Sequence, residues 1–427
     1  MSRAAWSLTS LCLLTAVAAA QPAADGPAKA PEPTTVDPPG TPPENPPVTD
    51  QPLIPDEAPA PAEETKPVAG FDKGFFLRSD DDKYVLKING RFQPFFNLTR
   101  TSDPADYRSQ FEVRRMRIVL EGNVHGKNLL YKLQTDFGKG VPTIKDAHFD
   151  VNLAKDVWLR FGQWKRPFSR QQISSSGRLE MTDRSITDRA FGAGRDVGIA
   201  LRNDYEKSPE FEWTLGVFNG RGEAPALTGT VVVDPLTGMG TLGTTTNTNV
   251  PLKFRPAVVG RVGINRNKLK GYSEADLEGG SLRWGAALSV WLEGDFDDDD
   301  KSNQKVQADY IIKANGFSTT GGIYAMTDQE AVEDTSVLDA ETSLVGFHLQ
   351  AGYMFDKNWQ AVARYALAND PRTKDVTTRD QQEISVAANY YGVGHDAKFQ
   401  GGVRLIKTGD ASFTDVVLFE LGANVGW

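Results

Sequence analysis

Apolar and polar side chains alternate along most of the chain after residue 83, and this period constrains the fold more than any other feature. A period of two places successive side chains on opposite faces of a β-strand. Met116, Ile118 and Leu120 thus share one face, whereas Arg115 and Arg117 share the other. No strongly periodic helix of ordinary length follows residue 70. Sixteen such runs occur, near residues 84–98, 112–124, 129–137, 144–154, 157–164, 196–203, 211–219, 256–265, 281–293, 305–315, 317–326, 343–355, 358–368, 382–391, 396–406 and 413–427.

The connections between these runs alternate in length from the second run onward. Outer-membrane barrels have an even number of antiparallel strands, joined by short periplasmic turns and longer outer loops. Residues 266–280 are long for a periplasmic turn, and residues 408–412 are short for an outer loop. The long connections lie near residues 101–110, 165–195, 220–255, 294–303, 327–342 and 369–381. The pattern predicts an all-β fold, a 16-stranded antiparallel transmembrane β-barrel over residues 71–427.

Two further features favour a barrel over other β-folds. A soluble β-sandwich also alternates, but 16 strands would need two or three such domains, and no linker interrupts residues 71–427. After residue 20, no apolar run approaches the ~20 residues that a spanning helix needs. A membrane location would therefore come from a closed barrel, in which every backbone polar group is paired. The last run ends on Trp427, and a final aromatic residue is typical of bacterial outer-membrane barrels.

Residues 1–20 have the features of a secretory signal peptide. Arg3 supplies the positive start, residues 4–17 are mainly apolar, and small residues at 18–20 suit a cleavage site. The only cysteine, Cys12, lies inside this segment. The exported chain would have no thiol, which excludes disulfides, cysteine-ligated zinc and cysteine nucleophiles. A lipid-anchored Cys12 is the competing interpretation.

Residues 21–70 are predicted to be a disordered, Pro-rich periplasmic linker. Fifteen of the 25 prolines lie in residues 21–68, and such a segment cannot bury enough apolar surface to fold. Nine acidic residues and two lysines give residues 21–70 most of the net charge of −9. The barrel segment is then close to neutral, so the total acidity says little about its partners. A tether that contacts the cell wall or a periplasmic partner is the alternative to a plain spacer.

The connection of residues 165–195 is too long for a turn and too rich in arginine for a core. It carries arginines interleaved with Phe168, Ile173, Leu179, Met181 and Phe191, and these apolar residues indicate that it folds against other parts of the protein. Loops of this length are usually functional or disordered. We expect this third loop to fold into the barrel lumen and to narrow it with positive charge. Its arginines are Arg166, Arg170, Arg178, Arg184, Arg189 and Arg195.

If the apolar face of each strand meets lipid, the polar face lines the lumen. A charge on the lipid side costs ~2–4 kcal/mol at the bilayer midplane, which gives this assignment its physical basis. The planar fork of arginine matches phosphate oxygens, and rings of cationic side chains select anions. The predicted pore-lining, anion-binding residues are Arg115, Arg117, Lys132, Arg160, Lys165, Arg178, Arg184, Arg189, Arg195 and Arg202. The same rule places Arg261, Arg283, Lys313, Arg364, Lys398 and Arg404 inside, with Glu121, Asp136, Asp196, Asp309, Glu383 and Glu420.

The alternative role of these basic residues is structural. They could pair with lumen carboxylates and stiffen the barrel wall. Asp183, Asp188 and Asp196 could in addition neutralise part of the cluster around the third loop.

Five stretches carry a resemblance to a known family. They are residues 113–118 (VRRMRI, followed by Glu121-Gly122), 131–137 (YKLQTDF), 161–169 (FGQWKRPFS), 183–185 (DRS) and 195–198 (RDVG). They are similar to the phosphate-selective porins of the O and P type, most closely over residues 110–202. The resemblance implies a 16-stranded barrel, usually trimeric, with a third loop in the pore and lumen arginines and lysines that pass phosphate-type anions. No individual ligand lysine of the family is transferred to a position of this chain.

The sequence therefore predicts a passive, moderately anion-selective porin in the outer membrane of a Gram-negative bacterium, and the resemblance implies phosphate or polyphosphate-type anions as its solutes. A general diffusion porin is the alternative of the same architecture, and a barrel adhesin or envelope tether that uses the Pro-rich arm is an alternative of another class. An outer-membrane hydrolase is disfavoured because no catalytic constellation is present, so no enzyme activity and no cofactor are expected. The expected partners are outer-membrane lipid and small inorganic anions, with a homotrimer implied by the resemblance and no nucleic acid. An acidic loop is either solvated or a calcium site, since clustered carboxylates suit that cation; it consists of Asp295, Asp297, Asp298, Asp299 and Asp300.

Overall fold

The barrel forms because each polar–apolar alternating run is a strand. The computed structural model describes residues 67–101, 106–220, 222–223, 226–233, 239–251, 254, 256–293, 303–328, 342–369, 380–409, 412–413 and 416–427. The strands are β1 (Ala69–Phe71), β2 (Phe75–Arg78), β3 (Val85–Thr101), β4 (Tyr107–Asn123), β5 (Leu129–Asp136), β6 (Thr143–Ala154), β7 (Val157–Lys165), β8 (Arg195–Arg202), β9 (Phe211–Phe218), β10 (Ala226–Val233), β11 (Gly240–Thr248), β12 (Ala257–Arg266), β13 (Arg283–Glu293), β14 (Asn303–Ala314), β15 (Phe317–Asp328), β16 (Thr342–Met354), β17 (Trp359–Asn369), β18 (Asp380–Val393), β19 (Ala397–Thr408) and β20 (Val416–Gly426). Two short helices, α1 (Arg170–Ile173) and α2 (Ile186–Phe191), lie between β7 and β8.

Sixteen of these strands close into one antiparallel barrel, as the sequence predicts. Each strand pairs with the next along the chain, β9 pairs with β12, and β20 pairs with β3 to close the ring. The hairpin of β10 and β11 forms a separate two-stranded sheet in the connection between β9 and β12. No helix among the described residues is long and apolar enough to cross a bilayer.

The alternation of side chains gives the barrel an apolar outer surface and a polar interior. On β17, Trp359 is 52% exposed, whereas its neighbours on the other face, Gln360 and Arg364, are 1% and 3% exposed. Val386 and Phe399 are likewise exposed on the strands that follow. This arrangement is the reverse of a soluble sandwich and suits a barrel that meets lipid on its outside.

A β-bulge interrupts the pairing of β3 with β4. Gln93 lies opposite Arg115 and Pro94 lies opposite Val113, so that Arg114 is the extra residue on β4. Proline has no backbone N–H to donate to a ladder and is accommodated at such bulges. As a consequence, both Arg114 and Arg115 direct their side chains to the buried face of the strand.

The segment of residues 166–194, called the inner loop below, lies against the buried faces of strands across the barrel. Phe168 packs edge-on against Trp291 of β13, and Phe191 packs on Tyr324 of β15. The hydroxyl of Thr187 donates hydrogen bonds to backbone oxygens of β16 and β17, each 2.9 Å long. The two short helices start locally, because the hydroxyls of Ser169 and Ser185 cap their N-termini.

A second segment also turns inward. Residues 267–282, called the re-entrant turn below, connect β12 and β13 at the opposite end of the barrel from the inner loop. Leu269, Tyr272 and Ala275 are buried there. The ring of Tyr272 packs against that of Tyr205. Its length, which is unusual for a turn at this end, is therefore accounted for by its fold into the interior.

Two smaller features differ from the expected strand borders. The hairpin of β1 and β2 precedes the first predicted run and pairs with the start of β3, with Phe75 opposite Ile88 and Arg78 opposite Val85. The connection expected at residues 408–412 extends in the structure from the end of β19 at Thr408 to the start of β20 at Val416. Alternation alone does not define where a strand ends, because the end of a strand is set by its backbone pairing with the adjacent strand of the barrel.

Candidate functional site in the barrel lumen

The strands position most of the predicted basic residues on the buried face of one part of the wall. Arg115 and Arg117 come from β4, Lys132 from β5, Arg160 and Lys165 from β7, and Arg195 and Arg202 from β8. Arg178, Arg184 and Arg189 belong to the inner loop, where Arg178 and Arg189 are exposed. The structure thus brings residues from four strands and one loop to the same side of the lumen.

Eight of the ten predicted residues are paired with carboxylates: Arg115 and Arg189 with Asp183, Arg184 with Asp188, and five others with acids of the wall. The Nε atom of Arg117 donates to Asp136 at 2.7 Å, and that of Arg195 donates to Asp146 at 2.7 Å. Arg160 forms a two-pronged pair with Asp150, with distances of 2.7 and 2.9 Å. The remaining two pairs are Lys132 with Glu121 at 3.2 Å and Arg202 with Asp150 at 3.5 Å. For these eight residues, the structure contains the carboxylate pairing that the structural alternative requires.

A second group of cations is held by neutral oxygens instead. Arg91 donates to the hydroxyls of Ser175 and Ser176 at 2.7 and 3.0 Å. The Nζ atom of Lys165 donates to the backbone oxygens of Ile173 and Ser174, both at 2.9 Å. Neither cation forms an ion pair with a described residue. Because hydroxyl and carbonyl oxygens carry no net charge, these partners do not offset the positive charge of either side chain.

Arg115 and Arg184 complete a group that we call the basic cluster: Arg91, Arg115, Lys165 and Arg184. Arg91 lies near enough to Arg115 and Arg184 for their charges to repel, and Lys165 is similarly close to Arg184. Arg184 donates mainly to backbone oxygens of the inner loop, among them that of Ser174 at 2.9 Å. Like charges are held together here by the fold of the inner loop.

Two carboxylates reduce the charge of the basic cluster without cancelling it. Asp183 lies 3.6 Å from Arg115, and Asp188 lies 3.5 Å from Arg184. Burial disfavours the charged form of Asp183, but the guanidinium groups of Arg189 and Arg115 outweigh burial and lower the pKa of Asp183 well below its usual range. Asp196, a third candidate for neutralisation, pairs with Arg166 at 3.2 Å.

Arg261, Arg364 and Arg404 of the remaining wall form ion pairs. Arg261 donates to both oxygens of Asp309, at 2.7 and 3.0 Å, and Arg170 of the inner loop donates to the same carboxylate. Glu383 accepts from Arg364 and Arg404 of neighbouring strands. These ion pairs stiffen the interior, whereas Lys313 and Lys398 on the same side donate to backbone oxygens.

Sequence reasoning missed Arg91 and Arg114. Arg114 stacks 3.9 Å above the ring of Phe95 and pairs with Glu112 and Glu420. Regular alternation would place Arg114 on the lipid side. Because a charge is costly there, its position in the sequence could have indicated an irregularity such as a bulge. Arg91 lies on the polar face of the first run, but its role depends on serines of the inner loop.

Metal binding has no support in the described part of the chain. No group of three or more histidine, cysteine, aspartate or glutamate side chains there could hold a metal ion. The acidic loop with Asp295 and Asp297 to Asp300 lies outside the described residues.

Solved structures with the same fold are porins and outer-membrane channels. An anion-selective porin from Comamonas acidovorans is 11% identical, with a TM-score of 0.51 over 80% of this chain and 99% of that one. The outer membrane channel DcaP of Acinetobacter baumannii is 14% identical, with a TM-score of 0.52 over 80% and 97%. OprB of Pseudomonas putida is 9% identical, with a TM-score of 0.53 over 83% and 95%. At these identities the likeness shows the fold alone.

Comparison at the sequence level gives the family. An uncharacterized protein from Aquifex aeolicus (strain VF5) is 24% identical over 377 residues, which cover 79% of this chain and 86% of that protein. The family model for phosphate-selective porins O and P matches residues 86–400, well over half of the chain. The resemblance seen in the sequence is thereby confirmed. This channel protein of the bacterial outer membrane belongs to the phosphate-selective porin O and P family.

Proposed function

We propose that the protein is a passive, anion-selective channel of a Gram-negative outer membrane, and that its solutes are phosphate or polyphosphate-type anions. The observation that carries this proposal is the set of partners of Arg91 and Lys165. Their hydrogen bonds go to serine hydroxyls and backbone oxygens, not to carboxylates. A cation held in this way keeps its attraction for a passing anion.

The arrangement around these two residues supports the same function. The inner loop contacts the wall from β13 to β19, and it also binds Arg91 of β3 and Lys165 of β7. We infer that ions pass between the inner loop and the wall that carries the basic cluster. Arg115 and Arg184 add guanidinium forks that match the oxygens of a phosphate group. Cationic groups that line a constriction favour the entry of anions and oppose that of cations. We infer that the inner loop forms the narrowest part of this path.

A general diffusion porin is the second candidate function, and one observation favours it. Eight of the ten predicted residues have carboxylate partners: Arg115, Arg117, Lys132, Arg160, Arg184, Arg189, Arg195 and Arg202. If these ion pairs set the electrostatic potential in the lumen, the channel would show little preference between anions and cations. The two functions differ in the net electrostatic potential of the lumen, and the ion selectivity of the channel reports this potential.

The test is the zero-current potential of the purified protein in a planar bilayer under a salt gradient, repeated with phosphate. We expect a potential of the sign for anion selectivity, and a chloride conductance that phosphate blocks. The proposal would be contradicted by a zero-current potential that is near zero or of the sign for cation selectivity, together with a chloride conductance that phosphate does not block. That result would support a general porin.

Three further properties are proposed with this function. Residues 1–20 direct export, residues 21–70 act as a periplasmic spacer, and the barrel assembles as a homotrimer, as the family resemblance implies. Size-exclusion chromatography with light scattering in detergent measures the oligomeric state. A monomeric mass at high protein concentration would contradict the trimer.

A further inference from the structure

The inner loop and the re-entrant turn meet inside the barrel, although they enter from opposite ends. The backbone N–H of Glu274 donates to the backbone oxygen of Arg178 at 3.2 Å. The backbone N–H of Glu180 donates to Oε2 of Glu274 at 2.8 Å. Arg170 also reaches across and donates to the backbone oxygen of Gly271 at 3.0 Å. These three contacts join two segments that no strand pairing connects.

The centre of this contact is a pair of carboxylates that share one amide. The Nε2 atom of Gln350 on β16 donates to Oε2 of Glu180 and to Oε2 of Glu274, each at 2.9 Å. Ser318 and Gln360 donate to the other oxygen of Glu180. Glu180 and Glu274 are 0% and 4% exposed. We call Glu180, Glu274 and Gln350 the carboxylate clasp.

The clasp holds two acids in a site with few counter-charges. Neither carboxylate forms an ion pair with a described residue, and the nearby lysines donate to backbone oxygens instead: Lys398 to that of Leu179, and Lys313 to that of Ser273. Two adjacent carboxyl groups in a dry site favour the retention of one proton between them. Burial, together with the carboxylate of Glu274, raises the pKa of Glu180 to about 7. The ionisable groups around the clasp are Lys313, Arg364, Tyr391, His395 and Lys398 of the wall and its turns, Arg178 and Asp188 of the inner loop, and Asp276 of the re-entrant turn.

We propose that the carboxylate clasp is a positioning device for the pore: it holds the re-entrant turn against the inner loop, and the docked segments determine the size of solute that the channel admits. The docked pair lies beside β14 to β19, so its position sets the space that remains in the lumen. The inference rests on the proposed function only for the charge of the solute. Solute size is a separate readout, so the two proposals can fail independently.

The first test compares three variants of the full-length protein in planar bilayers. Single-channel conductance and the size limit for neutral polyethylene glycols report pore width without regard to solute charge. Glu274→Ala removes the acceptor for Glu180 and Gln350, so we expect a larger conductance and loss of the wild-type size limit. Glu274→Gln retains an acceptor oxygen and should preserve both values. Lys270→Ala is the matched control in the same segment, because its side chain is 73% exposed and lies away from the clasp.

A second readout separates positioning from a general loosening of the barrel. Because the pKa of Glu180 is raised from 4.5 to about 7, docking is weakened by ionisation as the pH rises across this interval. The wild-type pore should therefore be wider at pH 8 than at pH 5, and Glu180→Gln, which removes the titrating carboxyl group, should lose this difference. The folded state of each variant is checked by its heat-modifiable mobility on gels.

The outcomes are distinct. A wild-type size limit in Glu274→Ala, or an equal pH response in the wild type and Glu180→Gln, would overturn the clasp. If Glu274→Ala does not assemble, Gln350→Ala removes the shared donor from the wall and carries the same expectation. A pore without anion preference that still widens in Glu274→Ala would refute the proposed function and leave the clasp standing.

Discussion

The guanidinium group of Arg91 on β3 donates a 2.7 Å hydrogen bond to the hydroxyl of Ser175 in the inner loop. This contact joins the first barrel strand to a segment 84 residues later in the chain. It orients a cation toward the lumen without neutralising it. The same fold therefore fixes the position of the inner loop and the positive charge of the path beside it.

The first prediction concerns this unneutralised charge. Replacement of Arg91 and Lys165 together by glutamine should lower the preference for anions, because two positive charges leave the lumen while hydrogen-bonding capacity remains. The zero-current potential under a salt gradient measures the change. The control is Lys145→Gln with Glu223→Gln, which removes one charge of each sign from a pair 3.0 Å apart and should leave selectivity unaltered. An equal effect of both double variants would argue against the basic cluster.

A second prediction concerns the inner loop as a constriction. Deletion of residues 170–190 removes α1, all of α2 except Phe191, and contacts with β14 to β19, so single-channel conductance should rise. The deletion also leaves Asp309 without Arg170, one of its two partners. An unaltered conductance of a folded deletion variant would place the constriction elsewhere.

The third prediction addresses stability of the paired wall. Glu383 accepts from Arg364 and Arg404, and Glu383→Ala leaves both guanidinium groups buried without their acid. Loss of one partner of a buried ion pair costs about 3–5 kcal/mol. The free energy of unfolding in urea, with the protein in lipid vesicles, should fall by this order. Lys207→Ala, which breaks an exposed pair with Asp204, should cost about 1 kcal/mol or less.

A fourth prediction explains one glycine of the family motif at residues 161–169. Gly162 has a φ of +129°, and a Cβ atom built there would lie 2.2 Å from the backbone oxygen of Ala147 on the neighbouring strand. Gly162→Ala should therefore reduce the folded fraction after refolding into detergent micelles. Gly260→Ala is the control, since its Cβ would lie 3.5 Å from the nearest atom. Similar folded yields of the two variants would show that β7 can shift to accept a side chain.

Much of the architecture follows from the sequence alone. Strand number, antiparallel order and the faces of Arg160, Arg261 and Arg404 are encoded in a period of two, and this period is a local property that each strand carries by itself. The length of residues 266–280 marked that connection as unusual. The motif stretches also identify the family, which the match over residues 86–400 confirms.

Only the tertiary structure decides what each lumen charge meets. Arg117 has a carboxylate partner and Lys165 does not, although both are basic residues on the polar faces of their strands. The bulge at Arg114 and the contact of Glu180 with Glu274 are equally invisible in a local pattern. The physical reason is that these partners come from distant parts of the chain and come together only when the barrel closes. Alternation therefore determines which face a side chain occupies, whereas closure determines whether its charge is free.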